Sequence, residues 1–196
     1  MASLAENSDA SARERFERLS EEAKALDSAA GTLRDEPAGW EYRHKALGNY
    51  RLLARLEEGP FLRNETFFGP SWYNDHADAL VDAMSLFEWA AGEESDPDKR
   101  QALIDESLRD IVSKFVAIKP DAPDFHEGGY GLAYHYLELA DLAPFREKKE
   151  EYVKLARQRI VFNTSFGEDH PATEYWQDFL EDFDERIAPM YLEDDD

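Results

Sequence analysis

Residues 129–183 read GYGLAYHYLELADLAPFREKKEEYVKLARQRIVFNTSFGEDHPATEYWQDFLEDF. The stretch parses as a helix, a tight turn, a longer helix, a loop and a further helix. Apolar side chains recur at steps of three and four, the spacing that lines one face of an α-helix. The first helix runs from about Gly131 to Asp141, and Leu142-Ala143-Pro144 turns it. Phe145, Tyr152, Leu155, Ala156 and Ile160 or Phe162 line the second, and Gly167 ends it. Pro171 falls in the first turn of the third, which carries Trp176, Phe179, Leu180, Phe183 and Ile187, with Pro189 as its stop.

The same device repeats upstream. Phe16, Leu19, Ala23, Leu26 and Ala30 form one stripe between about Asp9 and Ala30. Asp35-Glu36-Pro37 starts a second helix that reaches about Glu58, with Trp40, Leu47, Tyr50 and Ala54 (or Leu53) inward. Ala77, Leu80, Val81, Met84, Phe87 and Ala91 line a third. Asp96-Pro97 opens a fourth, since the Asp oxygen accepts orphan N–H groups and Pro at the first position needs no donor. Its stripe is Ile104, Leu108, Ile111, Val112 and Phe115, and Lys119-Pro120-Asp121-Ala122-Pro123 stops it. No segment alternates with period two. The expectation is an all-α chain of about seven helices in antiparallel hairpins, without the strands that a Rossmann, P-loop or barrel fold requires. Residues 1–8 read as a flexible N-terminus, 9–192 as a single helical domain and 193–196 as an acidic tail.

At 196 residues the chain is long enough for one full core or for three to four hairpins. Hydrophobic residues are 42% and aromatics 13%, which is globular composition, so the low mean hydropathy of -0.68 reflects a charged surface. The absence of Cys excludes disulfides, thiolate catalysis and Cys-based metal sites. The start MASLAENSDASARER has no apolar targeting core, and no run approaches a membrane span, so a cytoplasmic protein is expected. Without a secretion signal, the two Asn-x-Ser/Thr triplets at Asn64 and Asn163 carry no weight. Net charge is -22, with 44 acids against 22 bases, which argues against nucleic acid and anionic membrane as partners. Two readings of that charge stand: a solvated acidic surface suited to a salty cytoplasm, or an acidic face that engages a basic partner.

At Phe166-Gly167-Glu168-Asp169-His170-Pro171-Ala172-Thr173 the chain resembles tetratricopeptide (TPR) repeats of the long-loop, kinesin-light-chain-like kind. Those repeats join one hairpin to the next through a Gly-acid-Asp-His-Pro-x-Thr segment, and His170 would brace that loop. The resemblance covers residues 129–183 and implies a right-handed TPR-like superhelix whose groove binds a protein segment. Phe145, Tyr152 and Leu180 sit where the repeat places large side chains. Lys148, Leu155 and Glu181 stand where it places small ones, so the last helix reads as a terminal cap with a polar outer face.

Other chemistries have weaker support in the sequence. Glu41-x-x-His44 has the spacing of a di-iron bundle ligand pair, but no second copy exists. Asp75-His76-x-Asp78 sits at a helix start, where acids are expected anyway. His126 and His135, with Glu138 on the face of His135, form the best remaining metal or acid–base cluster, with polar contacts in a hairpin groove as the plainer reading. Gly128-Gly129-Tyr130-Gly131 lacks the Lys and strand of a phosphate cradle, and no Gly-x-Ser-x-Gly elbow is present.

The leading expectation is therefore a non-catalytic interaction module with no cofactor and no metal, binding a protein or peptide of basic or mixed character. Tyr134, Glu138 and Trp176 would line its groove, and the aromatic loop at 59–72 would add Phe67, Phe68 and Trp72. An antitoxin- or immunity-type inhibitor that caps a basic enzyme is the second reading. A metal-dependent enzyme using His126, His135 and Glu138 is the third.

Overall fold

The computed structural model describes residues 2–33, 36–55, 75–118, 131–166 and 171–192. Its elements, in order, are α1 (Ala2–Thr32), α2 (Pro37–Ala54), α3 (Asp75–Glu93), α4 (Pro97–Glu106), α5 (Ser113–Ile118), α6 (Leu132–Leu142), α7 (Arg146–Asn163), α8 (Pro171–Asp182) and α9 (Ala188–Leu192). A π turn over Ser107–Val112 joins α4 to α5, and another over Phe183–Ile187 joins α8 to α9. The result is seven continuous helices and no strand among the described residues. None of these helices is long and apolar enough to cross a membrane. The loop residues 167–170, the aromatic loop with Phe67, Phe68 and Trp72, and the stretch with His126 lie outside the described residues.

The chain forms two compact units. The first comprises Met1–Phe87 with Ser107–Pro120, the second Glu88–Glu106 with Asp121–Asp196. In the first, α1 and α2 form an antiparallel hairpin. Phe16, Leu19, Ala23 and Ala30 of α1 are buried, as their spacing requires. On α2 the buried positions are Gly39, Ala46, Leu47, Tyr50, Leu53 and Ala54. Trp40, expected inward, is 42% exposed. The close approach in the first turn of α2 belongs instead to Gly39, whose Cα sits against the Leu33 carbonyl at the end of α1. α3 is apolar around most of its circumference: Ala79, Leu80, Ala83, Met84, Leu86 and Phe87 are all buried. Its one half-buried acid in this unit with a described partner is Asp82. Tyr50 donates to Asp82 Oδ2 at 3.2 Å, and Lys24 Nζ lies 3.8 Å away, so one carboxylate links α1, α2 and α3. Burial still raises the Asp82 carboxyl above its usual range, against the opposing pull of Lys24.

The stripe along α4, the π turn and α5 differs from the expected one at a single position. Ile111, Val112 and Phe115 are buried, but Ser107 is fully buried where Leu108 was expected. Ser107 stands three residues after Ile104 and four before Ile111, on the same face as both, so it and not Leu108 takes the fully buried place. The Asp-Pro start is made as its chemistry demands: Asp96 Oδ1 accepts from the backbone N–H of Asp98 at 3.0 Å and of Lys99 at 3.2 Å.

In the second unit α6 and α7 form a hairpin through Ala143, Pro144 and Phe145. Phe145 lies just before α7 and is 39% exposed, so it does not join the buried line of Tyr152, Val153, Ala156 and Ile160. α4 is tied to α7 by a buried polar network. Gln101 Nε2 donates to the Tyr152 hydroxyl at 2.6 Å and to Asp105 Oδ1 at 2.9 Å. Burial pushes the Tyr152 phenol up to about 12. Pro189 does not close the last helix as expected. Its ring would clash with a carbonyl four residues back, but that position, Glu185, lies in the π turn, where the widened backbone accommodates it. Arg157 of α7 clamps Asp184 in this turn with two parallel bonds of 2.8 and 2.7 Å.

Two glycines of α2 separate packing from propensity. A Cβ at Gly48 meets nothing, so Gly48→Ala is expected to raise stability by about 0.5–1 kcal/mol. A Cβ at Gly39 overlaps the Leu33 carbonyl, so Gly39→Ala is expected to lower stability by about 1–3 kcal/mol despite the same gain in propensity. Urea denaturation of both variants checks the pair.

Candidate functional site

The described candidate residues converge on α6 and α8 of the second unit. Tyr134 and Glu138 lie one turn apart on α6, and His135 sits beside them on its buried side. α8 supplies Tyr175, Trp176 and Phe179. The hydroxyls of Tyr134 and Tyr175 are hydrogen-bonded to each other. Behind them the Tyr134 ring packs on Trp176 at 5.9 Å and on Phe179 at 5.4 Å, while Tyr175 meets Trp176 edge-on at 5.2 Å. Trp176, expected to line a groove, is fully buried. Its indole packs the core and presents no surface to a partner; Tyr134 and Tyr175, both half-buried, lie over it.

The polar side of this face is acidic. Glu88, near the end of α3, lies with its Oε1 2.5 Å from His135 Nδ1, and the imidazole is almost completely buried. This pair ties α3 to α6 within the unit. Glu138 is exposed, yet burial of its carboxyl, then the charges of Glu88 and Asp141, raise it above the usual carboxylate range, only partly opposed by His135. Tyr191 of α9 is raised for the same reasons: burial first, then Asp141 and Glu138. Among the described residues no three His, Asp or Glu side chains form a group that could hold a metal ion. His135 is instead engaged with Glu88.

Sequence reasoning placed Tyr134 and Glu138 on one helix face but missed Tyr175 and Glu88. Tyr175 carried a weak signal, since it directly precedes the strongest apolar anchor of α8. Glu88 carried one too, as an acid set between Phe87 and Trp89 in the largely apolar second half of α3. Glu181, a departure from the repeat pattern, is exposed, and Lys148 is half-buried with its Nζ 2.9 Å from Glu151. Both charges therefore avoid the unpaired burial that standard repeat packing would impose. Comparison of the chain with protein-family models, curated proteins and solved structures finds no match.

The acidic face has a pH signature. A carboxyl raised in the folded state contributes most to stability below its unfolded range, and that contribution is lost as pH rises through the raised value. Glu138→Gln is therefore expected to be more stable than the parent chain at neutral pH, with the difference closing as pH falls below about 4. Thermal melts across pH read this directly.

Proposed function

We propose that the chain is a non-catalytic protein–protein interaction module that holds a partner segment against the α6–α8 face. The observation that carries this reading is the Tyr134–Tyr175 hydroxyl contact above the buried Trp176. It sets the first helix of one hairpin beside the helix that follows that hairpin. This adjacency supports a right-handed, TPR-like stacking within the second unit, where such neighbouring helices line the groove. The face offers two aromatic hydroxyls and the exposed, charge-crowded Glu138. A Lys or Arg side chain placed there relieves the repulsion between Glu138, Glu88 and Asp141 and stacks on tyrosine rings. The ligand is therefore a peptide segment of basic or mixed character.

A fluorescence-anisotropy screen of synthetic peptides of graded charge tests the proposal. Binders are expected to be rich in Lys and Arg and to weaken steeply between about 0.05 and about 0.5 M salt. Combining Tyr134→Ala with Glu138→Gln should weaken them at least about tenfold. Preference for acidic peptides, or binders indifferent to both substitutions, would remove this reading.

A further inference from the structure

His135 is a buried titratable group that the binding face leaves without a role. It follows Tyr134 directly on α6, precedes Glu138 by three positions, and is only 4% exposed. Its Nδ1 stands 2.5 Å from Glu88 Oε1, so the half-buried Glu88 near the end of α3 is placed as its counter-charge. A neutral imidazole donating from Nδ1 leaves this pair with one negative charge, and an imidazolium leaves it with none. A buried cation is costly unless an acceptor of opposite charge meets it, and Glu88 already stands in that place. The hydrogen bond therefore serves both protonation states, and a single proton changes the charge beneath the face.

We infer that the His135–Glu88 contact makes the α6–α8 face pH-responsive: a proton taken up by the imidazole cancels one carboxylate charge of the face and weakens its hold on a basic segment. This inference rests on the reading of that face as a surface for such a segment. Imidazole is the side chain suited to change charge near neutral pH. The other charged groups beside it are Glu138 and Asp141 of α6 itself. Burial, then the charges of Glu88 and Asp141, raise the Glu138 carboxyl, so Glu138 acts in the same direction as pH falls. α8 brings Tyr175, whose hydroxyl meets that of Tyr134, and α9 brings Tyr191. The buried side chains of α7, which packs on α6, are apolar or amide except for Tyr152, whose hydroxyl is held by Gln101.

The probe is a fluorescein-labelled synthetic peptide of alternating Arg and Ala, titrated against the full chain by anisotropy at low salt. Its Kd is expected to rise at least about threefold between about pH 8 and about pH 6. Glu138→Gln should bind more weakly and keep that rise. His135→Asn retains an N–H for Glu88 but cannot take a charge, so its Kd is expected to stay level over the same range. Calorimetry of the parent chain near pH 6.5, in two buffers of different ionisation heat, should show protons released on binding, because a cationic ligand and the added proton oppose each other reciprocally. That readout needs no variant and stands even if His135→Asn fails to fold. Level binding by the parent, an equal rise in folded His135→Asn, or no proton release would overturn the inference. Absence of peptide binding at every pH removes the reading of the face itself, whereas binding that ignores pH removes the switch alone.

Discussion

The burial of the Trp176 indole is the constraint on which the second unit rests. A ring of this size removes on the order of 200 Å² from water, worth roughly 5 kcal/mol as an upper figure. Tyr134, Tyr175 and Phe179 surround it at 5.2 to 5.9 Å. Because Tyr134 belongs to α6 and the other two to α8, the indole fixes the spacing of those helices. The hydroxyl contact between the two tyrosines then follows, and so does the position of Glu138 one turn further along α6. The face proposed to bind a partner is therefore set by core packing, not by loops. Arg157 and Asp184 fasten the π turn that follows α8 to α7. This pair is largely exposed, so it contributes less than about 1 kcal/mol and serves mainly to fix position.

Both units manage buried polarity in the same way, by placing one polar group where several helices meet. Asp82 joins α1, α2 and α3 through Lys24 and Tyr50. Gln101 joins α4 to α7 through Tyr152. Each such group costs desolvation, visible in the raised Asp82 and Tyr152, and each restricts the packing to one register. The acidic cluster of Glu88, Glu138 and Asp141 differs. Its repulsion is only partly offset inside the unit, by His135. An internal network that leaves charge uncompensated at the surface is what an electrostatic partner would complete.

The helical architecture was legible because it rests on local chemistry. Stripes at steps of three and four, the Asp96-Pro97 start and the Leu142-to-Phe145 turn each act within a few residues. Phe16, Leu80, Ile104, Tyr152 and Phe183 were accordingly recognised as core. The misreadings have more than one origin. Leu108 was preferred to Ser107 because it is apolar, although Ser107 shares the face of Ile104 and Ile111, and the π turn at Phe183–Ile187 let Pro189 pass inside a helix. Of the candidate site, Tyr134 and Glu138 could be placed on one face from spacing alone. Their neighbours Tyr175 and Glu88 lie 41 and 47 positions from Tyr134 and His135, respectively, and became visible only through tertiary contact. Trp176 was correctly seen as an anchor and wrongly assigned to the surface, since periodicity identifies a helix face without saying whether another helix covers it.

The Trp176 indole couples α6 to α8 through its contact with Tyr134. A double-mutant cycle of Tyr134→Ala and Trp176→Ala, read by urea denaturation, measures it. An interaction free energy of about 0.5–1.5 kcal/mol is expected, as for aromatic rings in contact. Strictly additive effects of the two substitutions would contradict it, because the two helices would then not share the packing that positions the face.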